Sequence, residues 1–250
     1  QAGVLRVKTV EELFDCARAF AHQPLPAGRR VAIVTNAGGP GIMTADACEQ
    51  HGLTLPPLTD ATIEAIRPHV PVTAALRNPM DLIGDARHDR YEVALRAVLA
   101  DPQVESVMIL ATPQAMTDLS EIARVVGETA QGATKPIVTC FMGDGAADLQ
   151  ALDAAQVPHY RFPESAVRAL SAMSRYAEWI GRPRTEVRAF PVAQDEALAV
   201  IARARREGRR ALNQLESLDL LKAYGLPVLP CGAARTAEEA PAVASAIGFP

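Results

Sequence analysis

The sequence predicts an α/β chain built around a doubly wound parallel sheet, and three observations carry that prediction. Val31-Ala32-Ile33-Val34-Thr35 and residues 104–111 are continuous apolar runs, as expected for strands covered on both faces. Segments of helical length and pattern alternate with these runs. A glycine-rich turn, Asn36-Ala37-Gly38-Gly39-Pro40-Gly41, follows the first run directly, where such sheets bind ligands.

Taken in order, residues 3–7 read as a short strand and residues 9–21 as a helix, with Thr9 as cap and Glu11 and Glu12 in its first turn. The proline-bearing stretch 23–28 is a rigid connection. The first sheet strand is 31–35, and its helix runs from Pro40-Gly41 to about residue 51. Residues 53–55 read as a short second strand, with helices at 59–67 and 89–100. The third strand is 104–111 and its helix 118–130. The fourth is 136–141, followed by a helix over 145–155. A fifth strand at 157–161 leads to a closing helix at 164–179. Crossovers of these lengths suit right-handed connections, giving a flavodoxin-like order 2-1-3-4-5. After Gly181 the pattern breaks at Arg182-Pro183-Arg184-Thr185. Helices are expected at 197–210, 215–224 and 237–246, with Gly225 stopping the second. The domain boundaries follow as 1–27, 28–182 and 183–250.

The 250 residues are 49% hydrophobic and 22% charged with net charge -4, an ordinary globular composition. No basic footprint suggests a nucleic-acid partner, and no apolar run is long enough to span a bilayer. Cys16, Cys48, Cys140 and Cys231 lack C-x-x-C spacing, so neither a zinc site nor a disulfide framework is expected, and a cytoplasmic setting is. The chain begins with Gln1 rather than Met, as an excised or processed piece would.

The glycine turn is the strongest candidate site. Glycines let backbone approach a ligand and take positive φ, Pro40 suits a first helical residue, and free amides at a helix start attract anions. The helices opening at Thr59-Asp60, Asp118 and Pro163-Glu164 carry their own acids. The helix after the turn has none before Asp46, so its dipole has no counter-charge within the helix. The motif is neither a Walker loop nor a full G-x-G-x-x-G. The reading is therefore an anion cradle formed by Asn36, Ala37, Gly38, Gly39 and Gly41, with a plain tight crossover as the alternative. Asn78 and Asp81, in an irregular stretch 78–85, either orient a ligand or end a turn. Thr112 and Gln114 follow the third strand and face the same crevice. Gly143 and Gly145 give backbone freedom after the fourth. The basic run 203–210 reads as a solvated face, with a phosphate patch as the lesser alternative. His22, His51, His69, His88 and His159 have no nucleophile or metal-ligand partner in the pattern.

Three segments together carry a resemblance: 31–41, then Asn78-Pro79-Met80-Asp81, then Lys135-Pro136-Ile137-Val138. They resemble the second flavodoxin-like domain of NDP-forming (ADP-forming) acyl-CoA synthetases of the succinyl-CoA synthetase superfamily. Residues 1–14 resemble the last strand and helix of a preceding ligase domain, so 1–27 would be its βα end. Residues 215–228 and 246–250 resemble the entrance to an ATP-grasp domain. The resemblance implies a ligase that joins a carboxylate to CoA through an acyl phosphate and a phosphohistidine. Partners would be the CoA-binding and ATP-grasp domains of the same protein, with ATP/ADP, CoA and Mg as cofactors. No catalytic residue lies within this chain. The histidine is expected upstream of Gln1, and the helix after the glycine turn would supply one of the two helix N-termini that hold its phosphoryl group. Asn78, Asp81, Thr112 and Gln114 would line the carboxylate end of the substrate site. A homodimer is among the assemblies expected. Two alternatives are a synthetase-like regulatory region of a protein lysine acetyltransferase and a non-catalytic anion-binding module.

Overall fold

The computed structural model describes residues 3–143, 147–183 and 189–248. The expectations at Gly145, Arg184-Thr185 and the two chain ends lie outside the described residues. Two compact units divide the chain, Gln1–Pro183 and Arg184–Pro250.

The first unit holds five strands: β1 Val31–Thr35, β2 Met80–Asp81, β3 Ser106–Ala111, β4 Ile137–Phe141 and β5 His159–Tyr160. They form one parallel sheet in the order β2-β1-β3-β4-β5. The helices of this unit are α1 Val10–His22, α2 Gly38–Gln50, α3 Asp60–Ile66, α4 His88–Ala100, α5 Leu119–Ala130, α6 Gln150–Ala154 and α7 Pro163–Ile180. Strand periodicity sorts the apolar residues onto two faces. Ala32, Val34, Val107, Ile109, Ile137 and Phe141 join a core completed by α4 and α5. Val31, Ile33, Met108, Leu110, Val138 and Cys140 join a second core under α2 and α7. Burial on both sides explains why these strands read as unbroken apolar runs.

The sequence reading and the structure part at β2. Residues 53–55 form no strand; Thr54 makes only an isolated parallel bridge to Arg30. The second strand lies instead at Met80–Asp81, pairing Val34 with Met80 and Thr35 with Asp81. The outer edge of β1 is therefore satisfied in pieces. The Val31 amide donates to the Thr54 carbonyl at 2.8 Å. The side chain of Asn78 accepts from the Ile33 amide at 3.0 Å and donates to the Val31 carbonyl at 2.8 Å and to that of Pro56 at 3.1 Å. The Leu82 amide then donates to the Thr35 carbonyl at 2.8 Å. A side-chain amide has the donor and acceptor of a peptide, so Asn78 stands in for a missing stretch of strand.

The described residues before α1 form no strand. Thr9 caps α1 by accepting from the Glu12 amide at 3.1 Å. This helix, whose sequence resembles the end of a preceding domain, packs here on α7 through Cys16, Ala19 and a Phe20–Tyr176 edge contact. Arg18 donates to the His159 carbonyl at 2.7 Å, and Tyr160 to that of Asp15 at 3.0 Å.

The second unit holds α8 Gln194–Arg206, α9 Gln214–Ala223 and α10 Ala240–Ile247. Arg209 grips both oxygens of Glu216 at 2.6 and 2.7 Å, and Arg203 approaches it at 3.4 Å. Asn213 and Glu216 close a capping box at the start of α9. Two arginines of the basic run thus face a carboxylate of their own unit.

Two tests follow from these contacts. Replacing Asn78 by Leu leaves a buried amide and carbonyl of β1 without partners, and stability measured by urea denaturation should fall by about 2–4 kcal/mol. Arg209 and the Asn213 amide hold the Glu216 carboxyl at about 2, below its ordinary 4.5. The unfolded chain then binds the proton more readily than the folded one. The contribution is full above about pH 4.5 and is lost as pH falls through about 2. The carboxyl carbon of Glu216, followed by NMR, should titrate in that low range, and Glu216→Gln should remove this part of the acid unfolding of the second unit.

Candidate functional site

The carboxyl ends of β1, β2 and β3 bring three loops together at the switch point of the sheet. The loop after β1 is short because α2 begins at Gly38, two residues earlier than the position of Pro40 suggested. The Thr35 hydroxyl makes this sharp start possible by accepting the Ala37 amide at 3.0 Å. Neither Gly38, Gly39 nor Gly41 has positive φ, so their use is close approach rather than unusual backbone conformation.

The five residues expected to cradle an anion divide into two groups. The Asn36 amide lies toward the hydroxyl of buried Tyr91. The Ala37 amide is taken by Thr35, and the Gly41 amide donates to the Ala37 carbonyl at 3.1 Å. Pro40 has no amide hydrogen. At the start of the helix itself, the N–H groups of Gly38 and Gly39 have no acceptor among the described residues. Gly41 serves packing: a methyl there would lie 3.1 Å from Thr35 Cγ2 and 3.7 Å from Pro79. Around Gly39 the space is open, with no atom within 4 Å of such a methyl. Ile42 and Met43, one turn along, are 64% and 58% exposed, which gives the turn an apolar rim.

One electrostatic expectation needs correction. The helix has neither a side-chain cap nor an acid in its first turn, whereas α1, α3, α5 and α9 have both kinds of residue or combine them. Yet α2 is not without a counter-charge. Asp81 comes from β2 with Oδ1 accepting the Ile83 amide at 2.9 Å, and a methyl on Gly38 would lie 3.1 Å from its Oδ2. The compensating carboxylate arrives across the sheet, a placement invisible while 78–85 was read as irregular. Ile83 itself takes φ 69, strained for a β-branched residue.

The other expected residues also meet here, in different roles. Asn36 is 2% exposed and Thr112 8%. The Asn36 side chain accepts from the Thr112 amide at 2.9 Å and its hydroxyl at 3.0 Å, and donates to its carbonyl at 2.9 Å. Gln114 is exposed and reaches back to the Thr112 hydroxyl at 3.4 Å. Asn78, committed to β1, presents its amide to the sheet rather than to the crevice. Two residues without a sequence signal belong to the site's frame. Tyr91, fully buried, donates to the Leu110 carbonyl at 2.8 Å, and burial beside Asp81 pushes its hydroxyl well above the ordinary range. Thr117 donates to the carbonyls of Gly84 at 3.1 Å and Ala86 at 3.3 Å. Only their apolar or turn context could have hinted at them. Beyond the β3 loop an open cleft of about 660 Å³ is lined by Arg87, His88, Pro113, Met116, Asp118 and Glu121.

Among the described residues, no group of three or more His, Cys, Asp or Glu is arranged for a metal ion. No helix among them is long and apolar enough to cross a membrane. Cys48 and Cys140 are buried, and burial pushes their thiols up to about 12.

A parallel five-stranded sheet with an amide-lined turn at its switch point defines a class of α/β ligand-binding domain, and comparison with known proteins gives the family. The Ligase-CoA domain model matches residues 31–182, and the chain belongs to that family. An ATP-grasp domain model matches residues 203–250. The chain is 35% identical over its whole length to the ADP-forming 4-hydroxybutyrate–CoA ligase of Nitrosopumilus maritimus, and 36% to the ADP-forming acetate–CoA ligase I of Archaeoglobus fulgidus. It spans 36% of the length of each. The alpha subunit of ADP-forming acetate–CoA ligase II of Pyrococcus furiosus is 38% identical over 72% of this chain and 41% of its own. A crystal structure from Pyrococcus horikoshii matches 72% of this chain and 42% of its own, at 37% identity and TM-score 0.67. A dinucleotide-forming acetyl-coenzyme A synthetase from Ca. Korarchaeum cryptofilum, in complex with phosphate and ADP, matches 73% of this chain and 41% of its own, at 29% identity and TM-score 0.65. The resemblance to ADP-forming acyl-CoA synthetases and the sheet order both hold.

The two kinds of glycine in the turn should separate by stability. Gly39→Ala adds helix propensity in open space and should raise stability by about 0.5–1 kcal/mol. Gly41→Ala presses on buried Thr35 and should lower it by about 1–2 kcal/mol. Urea midpoints check both.

Proposed function

We propose that this chain is the central region of an ADP-forming acyl-CoA synthetase and that its turn binds a phosphoryl group. The overall reaction would convert a carboxylate, CoA and ATP to acyl-CoA, ADP and phosphate through an acyl phosphate and a phosphohistidine. The observation that carries the reading is the pair of acceptor-free amides, Gly38 and Gly39, at the positive end of a 13-residue helix, with open space above Gly39. Preorganised amides stabilise phosphoryl charge without reorganising when it arrives. The Ligase-CoA match and the relatives' names support the ligase activity.

In this reading the phosphate donors are Gly38 and Gly39, a narrower set than 36–41. Asp81 sets the charge balance beside them. Its Oδ2 opposes a bare dianion and favours a phosphoryl group that brings a cationic or N–H-bearing carrier, as a phosphohistidine does. Gln114 and the cleft after β3 are the place for the carboxylate substrate. Asn36, Thr112 and Asn78 hold the frame. Residues 1–27 would be the C-terminal end of a preceding ligase domain, and 183–250 would lead into an ATP-grasp domain, as the match over 203–250 supports. ATP, CoA and Mg would be held by those neighbouring domains, in a cytoplasmic protein. No residue here is assigned to the divalent ion, because no described cluster fits one.

Inorganic phosphate titrated into the ¹⁵N-labelled chain should shift the Gly38 and Gly39 amides. Asp81→Asn keeps the acceptor for Ile83 and removes the opposing charge, so phosphate should bind about tenfold tighter, or about 1.4 kcal/mol. Gly39→Asp fits the open space and puts a carboxylate at the helix start, so it should fold normally and lose the phosphate response. Unmoved Gly38 and Gly39 amides at millimolar phosphate, in both the native chain and Asp81→Asn, would refute the phosphoryl site.

A further inference from the structure

We infer that Asn36 and Thr112 form a brace that makes the glycine turn and the loop after β3 one mechanical unit, so that an anion held at the turn is felt at residues 114–117. Both are positioning residues. Transmission of the anion rests on the phosphoryl reading above; the brace itself does not.

The geometry points to this through three hydrogen bonds between residues 76 apart in sequence, all within 3.0 Å. The Asn36 amide group meets the N–H and C=O of one residue, Thr112, as a neighbouring strand would. Aspartate lacks the donor, and leucine lacks both groups. Both residues are buried, so water offers no replacement partner and breaking the pair is costly. The contacts continue on either side. Buried Tyr91 lies behind the Asn36 backbone, and its hydroxyl donates to the Leu110 carbonyl near the end of β3. The Thr112 hydroxyl accepts from Gln114, and Thr117 fastens the same loop to Gly84 and Ala86. From there Ile83 bonds to Asp81, whose free oxygen lies beside Gly38. The three loops thus close a ring around the switch point. Asn36–Thr112 is its link between β1 and β3, where the strands are adjacent and both loops leave the sheet.

The test measures amide hydrogen exchange in the whole 250-residue chain and in three variants, with inorganic phosphate as the probe for transmission. Asn36→Asp keeps the shape and the acceptor and loses the donor to the Thr112 carbonyl. Exchange of the Thr117 amide, which donates to the Gln114 carbonyl, should rise about tenfold, while Val138–Cys140 of β4 stays protected and shows that the fold is intact. Thr112→Val removes one bond of the three and should raise exchange about threefold. Thr112→Ser restores the hydroxyl and should match the native chain. Phosphate should shift Gly38, Gly39 and residues 114–117 in the native chain, but only the glycines in Asn36→Asp. Native exchange at the Thr117 amide in both Asn36→Asp and Thr112→Val overturns the brace, and Thr112→Val alone decides if Asn36→Asp fails to fold. Phosphate shifts confined to the glycines in the native chain overturn transmission. Phosphate that moves no amide defeats the phosphoryl reading and with it transmission, and leaves exchange to decide the brace.

Discussion

The outer edge of β1 is the constraint on which the rest of this site depends. A strand buried on both faces must pair its backbone groups on both edges, because no water reaches them. On the inner edge β3 does this in regular register. On the outer edge no single segment does. Thr54, the Asn78 side chain, Met80–Asp81 and Leu82 each cover a part. This patchwork brings the chain up beside β1 only at its carboxyl end. It therefore delivers Asp81 beside the first turn of α2 and leads the following loop toward the loop after β3. A full-length β2 would satisfy β1 equally well, but the role of Asn78 would vanish.

The charge balance at the turn follows from that placement. A helix N-terminus with two acceptor-free amides and a nearby carboxylate is neither a plain anion hole nor a self-neutralised cap. An acid in the helix's own first turn would occupy the amides. Asp81 instead keeps one oxygen on Ile83 and leaves the space over Gly39 open. The site thus carries a donor pair and an acceptor side by side. That combination links the electrostatics of α2 to the topology of the sheet.

Much of the fold was legible in the sequence, for a physical reason. Strands β1, β3 and β4 are covered on both faces, so their residues are largely apolar, and α5 between β3 and β4 carries a clear apolar stripe. β2 was misplaced because it is two residues long, and because its ladder is completed by a side chain rather than by a run with strand character. Leu53 is apolar because it packs in the core under α2 and α7, not because it belongs to the sheet. The glycine turn was legible as a close approach. Which of its amides remain available was not, since that depends on the Thr35 hydroxyl, which takes the Ala37 amide. Asn36 and Thr112 looked like ligand residues because polar groups at strand ends often are. Their side chains are instead satisfied by each other, a pairing that no local pattern encodes.

The same distinction bears on how such sites tolerate change. Residues that touch a ligand can vary with the ligand, but residues that replace backbone pairing cannot vary without loss of the frame. Asn78 and Asn36 both use an amide as a substitute peptide, one along the edge of β1 and one across its end. Gln is too long for either place, and Asp and Leu each lack a required group. The crevice is therefore held by two asparagines whose substitution affects geometry first and binding second. Gly38 and Gly39 carry the opposite signature: their amides have no acceptor among the described residues, and the space around Gly39 is open. Unsatisfied donors beside unfilled space, framed by asparagine side chains that are paired with backbone, distinguish the open part of this turn from the part that builds it.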